Sequence, residues 1–390
     1  MSDDLYSLWR TGIPAADLAE LTRSDAELLS TVDVVVVGGG LIGLATGFSL
    51  AEQGLSVQLL SAGALAGDCS SVNFGGVWPN ETGAAYTSGY QELAFRSRDL
   101  WGRLAVRPEF TLDWRVNGFL QLNPQRLAPG AEAFAEAQLE AGYSLTAVDA
   151  EQIASLEPAL STGWKEGVHY PSDAQLNPVR AAIGFAKGIR RKGGRIALHS
   201  PARLIEPAGT GPVIVSTPTG TVQALRLIAA TGFELSWLGS LKPQIPLEAV
   251  SGQILATEPQ PPLLKSTVAA EYLVCQLKSG EILTGGNQVP GVVRTLDEDE
   301  ARKMQAAART LLPALVDVPF TRSVVGVRSR TPDGLPVIDH LPEQPAIWLA
   351  CGHHRAGVLL ATGTAELLTE KIRGRTTTVD AMPFRLNRWA

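Results

Sequence analysis

The sequence predicts an α/β (α+β) chain of two domains, and three observations carry that expectation. Residues 34–37 are four valines that run into three glycines and then an apolar helix, the opening of a βαβ unit. A strand, a glycine-containing loop and a helix recur near the C-terminus, over residues 346–372. Between them lies a long block of short extended segments, so the first domain is discontinuous and a second, mixed-sheet domain is set into it.

The first unit is the most informative stretch. A run of β-branched residues suits a strand buried on both faces, as in a parallel sheet. Gly38, Gly40 and Gly43 then fit G-x-G-x-x-G: one glycine for the tight turn, one for close approach to a pyrophosphate, one for packing helix on strand. The helix is expected over residues 41–53, with Leu44, Ala45, Phe48 and Ala51 on its apolar side and Gly54 as its stop. Its N-terminus, with Leu41 and Ile42, offers unpaired N–H groups to phosphate oxygens. The second strand, 57–61, ends at Ser61, where an acidic residue is expected to hold the adenosine ribose. A serine hydroxyl can hydrogen-bond a ribose without the charge-assisted bond of a carboxylate. No arginine follows closely, so a 2′-phosphate is not favoured.

The bulk properties exclude several classes. The chain has 390 residues, 45% of them hydrophobic and 18% charged, which is ordinary for a globular protein with a large core. Its formal charge of −6 argues against a nucleic-acid surface. No apolar run reaches membrane-span length, and the N-terminus lacks a basic start and apolar core, so a cytoplasmic location is expected. Cys69, Cys275 and Cys351 are too scattered for a disulfide framework or a Cys-x-x-Cys metal site, and read as small buried hydrophobes.

Taken in order, residues 1–30 form an arm before the first strand. Pro14, Leu18 and Leu21, then a capping-box pattern at Ser24 and Glu27, predict two short helices docked on the body or on a partner subunit. A polar loop with Ser70 ends in Gly75-Gly76, where backbone can lie close to a flat ligand. Helices are expected over 91–104 and 130–141, with a strand over 114–122 between them. Asn177-Pro178 reads as an N-cap with proline at the first helical position, and Gly193-Gly194 as the stop. A strand at 195–199, a hairpin through residues 218–220 and a buried strand at 225–230 follow, the last ending at Thr231-Gly232. Extended patterns at 251–257, 271–276 and 281–283 precede a helix to Leu312, opened by the capping box Thr295-x-x-Glu298. The C-terminal loop Gly352-His353-His354-Arg355-Ala356-Gly357 then leads into the last helix at Val358. On this reading the first domain comprises residues 31–90, 145–235 and 322–390, and the second comprises 91–144 and 236–321.

With these pieces in place, the chain resembles the D-amino-acid-oxidase-like family of FAD amine oxidoreductases, nearest its glycine oxidase branch and the flavoprotein subunits of hydrogen cyanide synthase and opine oxidase. The resemblance rests on the first glycine turn, Asn73–Gly76, Tyr170–Gln175, Val250–Gln253, Glu271–Val274, Gly326-Val327-Arg328 with Thr331–Pro336, and the C-terminal Gly-His-His-Arg-Ala-Gly loop. It implies FAD lying across the Rossmann-like domain, with a mixed-sheet substrate domain over the flavin face. The family's reaction moves a hydride from an amine-bearing carbon to the flavin, and the resulting imine hydrolyses.

The resemblance also implies site residues. Arg328 matches the carboxylate-binding arginine, a role that suits a planar fork able to make two charge-assisted bonds. Its alternative is a structural ion pair. Tyr272 matches an active-site tyrosine, or else is a strand aromatic packed in the core. His353, His354 and Arg355 match the loop at the flavin's reactive edge, where a cation or N–H would stabilise negative charge; either histidine could equally be an ordinary satisfied side chain. Gly326 stands where some relatives carry a flavin-linked cysteine, so noncovalent FAD is expected. Gln253 reads as support for the sheet. No metal site is expected. The substrate is a small amino acid or amine, and partner subunits or self-association remain open. The electron acceptor is oxygen or a carrier. A structural flavin-binding subunit and an NAD-dependent dehydrogenase are the competing readings.

Overall fold

The structure, a computed structural model, describes residues 6, 8–79, 88–122, 136, 139–140, 142–205, 211–241 and 244–389. Two large sheets dominate it. In the first, the strand Thr31–Val37 lies between Val57–Leu60 and Gly220–Ala229, parallel to both. Arg195–Ala197 extends one side and Ile347–Cys351 the other, again in parallel, and Val337–His340 closes that edge antiparallel. The valine run is buried because each face has its own core. Val34 and Val36 pack into one apolar cluster, and Val35 and Val37 into another.

The helix Leu41–Glu52 packs against the helices Pro178–Arg191 and Gly357–Ile372, and is buried on nearly every side. Its residues are apolar on most sides, interrupted by Thr46, Ser49 and Glu52, as suits a helix covered by two others. The cap expected at Asn177 is present: its Oδ1 accepts from the N–H groups of Val179 and Arg180, with Pro178 in the first position. The Asn177 amide also donates to Trp9 O at 2.9 Å, which fastens the N-terminal arm to this helix.

Among its described residues that arm forms one short helix, Ala15–Leu18, continued by a tight turn at Ala19–Leu21. The second helix predicted from Ser24 and Glu27 does not form. Asp25 N–H donates to Ile196 O, Leu198 N–H donates to Ser24 Oγ, and Ile196 N–H donates to the Asp25 carboxylate. The open edge of Arg195–Ala197 thus claims the groups that would have capped a helix.

Among the described residues the second sheet has nine strands and is largely antiparallel. Its order is Val289–Pro290, Glu248–Thr257, Ile282–Gly285, Leu273–Gln276, Thr267–Ala269, Phe119–Gln121, Glu166–Tyr170 and Thr146–Asp149, and the long strand Phe320–Arg330 also pairs with Glu248–Thr257. The parallel pairing of Thr267–Ala269 with Phe119–Gln121 makes it mixed. Residues 146–149, 166–170 and 320–330 therefore pair in the second sheet, although sequence grouped most of them with the first. The helix Ser88–Ala105, grouped with the second, packs on Gly357–Ile372.

Local boundaries also shift. The strand expected over 114–122 contracts to Phe119–Gln121, with Arg115 bridged separately to Gln175. Asp297, not Thr295, caps the helix Glu298–Leu311, accepting from the N–H groups of Asp299 and Glu300. The helix expected over 130–141 lies largely outside the described residues. Among the described residues, no helix is long and apolar enough to cross a membrane.

Candidate active site

The parallel strands of the first sheet end on one side, and Val37, Leu60, Ala230 and Ala350 at those ends open onto a cavity of ≈ 960 Å³. Ligands of open α/β sheets bind there, beyond the carboxyl ends of the strands. Gly38 makes the first turn possible. Its φ is +126°, and a Cβ at this position would lie 2.3 Å from Ala230 O. Gly40 precedes the helix, whose end no side chain of the cap residue satisfies; instead Leu41 N–H donates to Ser70 Oγ at 3.0 Å. Gly40, Leu41, Ile42, Ser61, Ser70, Thr231 and Gly232 all line the cavity. Gly43 does not. A Cβ there would come within 2.0 Å of Gly38 O, so it serves helix packing, the task assigned to the third glycine.

The loop before the turn is held by Asn73. Its amide donates to Cys69 O (3.1 Å) and Ser70 O (2.9 Å), and its Oδ1 accepts from Gly75 N–H (2.8 Å). Gly75 passes against the Leu176 carbonyl and lies outside the cavity, whereas Gly76 lines a smaller space of ≈ 130 Å³. Trp78, Phe74, Leu273, Gly286 and Leu359 wall that smaller space. Asn73, Arg328, His353, His354, Arg355 and Val358 line both, so the two adjoin. From the C-terminal loop, Gly352 and Gly357 face the larger cavity and Ala356 the smaller.

Arg328 reaches this junction from the strand Phe320–Arg330, which is registered on Glu248–Thr257 with Val250 opposite Arg328 and Gly252 opposite Gly326. Its Nη1 donates to Asn287 O at 3.2 Å, and Asn287 Oδ1 in turn accepts from Gln253 N–H at 2.8 Å. Burial, then the nearby Arg355 charge, pulls its pKa down. No carboxylate among the described residues pairs with it. A guanidinium that lines both spaces with no described carboxylate to neutralise it can hold an anion.

A model of the FAD dependent oxidoreductase family DAO matches residues 33–371. The chain belongs to that family. It is therefore an enzyme of the flavin-dependent class, and the structural-subunit and NAD-dependent readings fall away. The chain is 29% identical to glycine oxidase from Pseudomonas putida over 90% of its own length and 97% of that protein's. It is 25% identical to the hydrogen cyanide synthase subunit HcnC of Pseudomonas protegens, over 93% and 97% of the two chains. The crystal structure of glycine oxidase from Geobacillus kaustophilus superposes with a TM-score of 0.86 at 24% identity, covering 92% of this chain and 99% of that one.

The residues of this FAD dependent oxidoreductase fit the cofactor. Gly38 lets the first turn close against Ala230 at the cavity wall, no side chain of the cap residue covers the adjoining helix end, and Ser61 presents a buried side chain to the cavity in place of the expected acid. The buried Nε2 of His354 has no protein partner and sits where the two spaces meet. Gly326 is closely backed by Val72, with no side chain available for a covalent link.

Burial sets the charge of the two histidines. Burial pushes His353 down to about 3, and burial with Arg328, Arg355 and Arg330 pushes His354 down to about 3. Both are neutral near pH 7, so the loop's cation is Arg355, and His353 is tied through Nε2 to Thr364 Oγ1 at 3.0 Å. The sign of the linkage follows. His353 ordinarily titrates at 6.5, so below that pH the unfolded chain takes a proton that the folded chain refuses until about 3. Thermal stability is expected to fall as pH drops from 6.5 toward 3, and His353→Asn to flatten that fall in melting curves taken across the window. An equally steep fall in the variant would remove His353 as the cause.

Tyr272 is not brought to either space. Its hydroxyl donates to Glu300 Oε1 at 3.0 Å, its pKa is pushed up to about 12 by burial and by that carboxylate, and it packs toward Leu255, Ala301 and Met304. Leu273, one residue on, lines the smaller space instead. Among the cysteines, Cys275 and Cys351 are buried, but Cys69 is partly exposed and lines the larger cavity, its thiol pushed up to about 11. Gln253 grips Asp297, donating to its carbonyl and accepting from its N–H at 3.0 Å each.

Sequence alone did not reveal Gly252 or Asn287. A Cβ on Gly252 would lie 2.5 Å from Arg328 Nη1 and 2.6 Å from Asn287 O, so its missing side chain is the room the guanidinium occupies. Gly252→Ala is expected to displace Arg328 by about 1 Å and to lower kcat/KM on the order of 10²-fold, with flavin content retained. Wild-type kinetics in that variant would show that the guanidinium has room to spare.

Proposed function

We propose that this enzyme oxidises the C–N bond of an amino acid or an N-substituted amino acid, giving an imine that water hydrolyses. The observation that carries the reading is the carboxylate-free Arg328 at the junction of the two spaces. FAD, when bound, supplies the hydride acceptor. The protein supplies placement. Arg328 takes the substrate carboxylate through its two-pronged fork, and the apolar walls Phe74, Trp78, Leu273 and Leu359 exclude water from the rest. Neutral His354 offers a buried ring nitrogen without adding charge. Similarity to a glycine oxidase over nearly the whole chain supports the same reading. Noncovalent FAD and a cytoplasmic location are part of it; denaturation should release the colour into the supernatant.

The test is a visible spectrum recorded under nitrogen while D-, L- and N-substituted amino acids are added in turn. Bleaching by at least one carboxylate-bearing amine is expected; no bleaching across the panel would overturn the reading. Similarity to a cyanide synthase subunit favours a second version, in which electrons pass to a carrier through partner subunits. Peroxide release in air, compared with reduction of an artificial dye, separates the two.

A further inference from the structure

We propose that the N-terminal arm completes the adenosine end of the FAD site, with the Thr22 hydroxyl accepting a hydrogen bond from the ribose 2′-hydroxyl. That role falls to an acid when one ends the second strand of the nucleotide unit. Here Val57–Leu60 is followed by Ser61, whose neutral side chain cannot make a charge-assisted bond. The family model begins at residue 33, so the arm lies outside the segment it matches. Yet Tyr6 and Thr22 of the arm line the same cavity as Ser61. Among the described residues the acids lining that cavity are Asp68 and Glu234. Asp68 is bound to Arg294, and Glu234 follows the strand Gly220–Ala229, on the far side of Thr31–Val37 from Val57–Leu60.

Hydrogen bonds on either side of Thr22 tie it to the end of the second strand. Leu65 N–H donates to Leu21 O at 2.9 Å, and Ala66 N–H donates to Gly39 O at 2.8 Å, so one loop joins the arm to the first glycine turn. Tyr6 Oη donates to Leu65 O and pins that loop a second time. Leu198 N–H donates to Ser24 Oγ at 3.0 Å, and two residues on Ser200 N–H donates to Ser61 O at 2.8 Å. The segment between these ties is gripped by Arg190, which donates to Glu20 at 2.8 Å, Arg23 O at 2.7 Å and Asp25 at 3.2 Å. Thr22 is thereby ordered before a ligand arrives, which lowers the entropic cost of binding one. Its Oγ1 donates to Ala19 O at 3.3 Å. A hydroxyl that donates once keeps lone pairs for a second donor, and the missing acid would have been an acceptor in the same way.

The test compares FAD with its analogue built on 2′-deoxyadenosine, each titrated into protein freed of flavin, with binding read from the visible spectrum and no turnover involved. Wild-type protein is expected to bind FAD about fivefold more tightly than the analogue, the size of one neutral hydrogen bond. Thr22→Val is expected to weaken FAD to within about twofold of the analogue, and Thr22→Ser to keep the preference. Thr22 is exposed, so the flavin-free variants should melt with the wild type. Equal affinities in the wild type would overturn the proposal, as would a preference that survives Thr22→Val. If Thr22→Val weakens both flavins by one factor, the arm merely steadies the fold and the proposal fails. If the preference disappears in Ser61→Ala and persists in Thr22→Val, the ribose is held by the strand end and the proposal fails too.

Discussion

Arg328→Leu is expected to leave the purified enzyme yellow and to lower kcat/KM for carboxylate substrates by roughly 10²- to 10⁴-fold. The estimate follows from two charge-assisted bonds of about 1.5–3 kcal/mol each, at about 1.4 kcal/mol per tenfold. The loss should fall on orientation as much as on affinity, because a substrate held by its carboxylate has its reacting carbon aimed, and one that is not held tumbles. Arg328→Lys should recover only part of the rate, since an ammonium is a point charge and cannot make the paired contact. Flavin content, read from the visible spectrum, controls for collapse of the site: Arg328 is backed by Asn287, and no described carboxylate is orphaned by its removal. Unchanged kinetics in the leucine variant would show that the carboxylate is bound elsewhere.

Gly38→Ala is expected to give a colourless protein that does not take up added FAD. The position combines a backbone conformation that costs other residues about 1–3 kcal/mol with a Cβ placed 2.3 Å from a backbone carbonyl of the adjoining strand. A flexible side chain could move aside, but Ala230 is fixed by its N–H bond to Val37 O, so the turn itself must give way. Gly63→Ala is the control. Gly63 lines the same cavity, and a Cβ there meets nothing within 4 Å, so this variant should stay yellow. A yellow Gly38→Ala protein would mean that the first turn does not hold the cofactor.

The two glycine loops were legible in sequence because each is local: strand, turn and helix follow one another within a single unit, and the spacing alone says which atoms meet. Asn177 and Pro178 were legible for the same reason. What sequence could not supply was register between distant segments. Gly252 makes room for Arg328 only because Val250 is paired with Arg328 across an intervening 77 residues. Tyr272 and Leu273 are adjacent in sequence, and nothing local decides which of them lines the smaller space. Ser24 carries a sound helix-cap signal, yet a strand edge far along the chain had a stronger use for it. The strand Phe320–Arg330, which carries the anchor, mixes exposed, half-buried and buried positions, so no clean alternation announced it.

The end of that strand has a mechanical consequence. Arg330 forms an isolated bridge to His353, so the strand bearing Arg328 is stitched directly to a loop that lines the larger cavity. The bridge joins a strand of the second sheet to a loop of the first, so the distance from Arg328 to that loop is set by backbone pairing and not by side-chain packing alone.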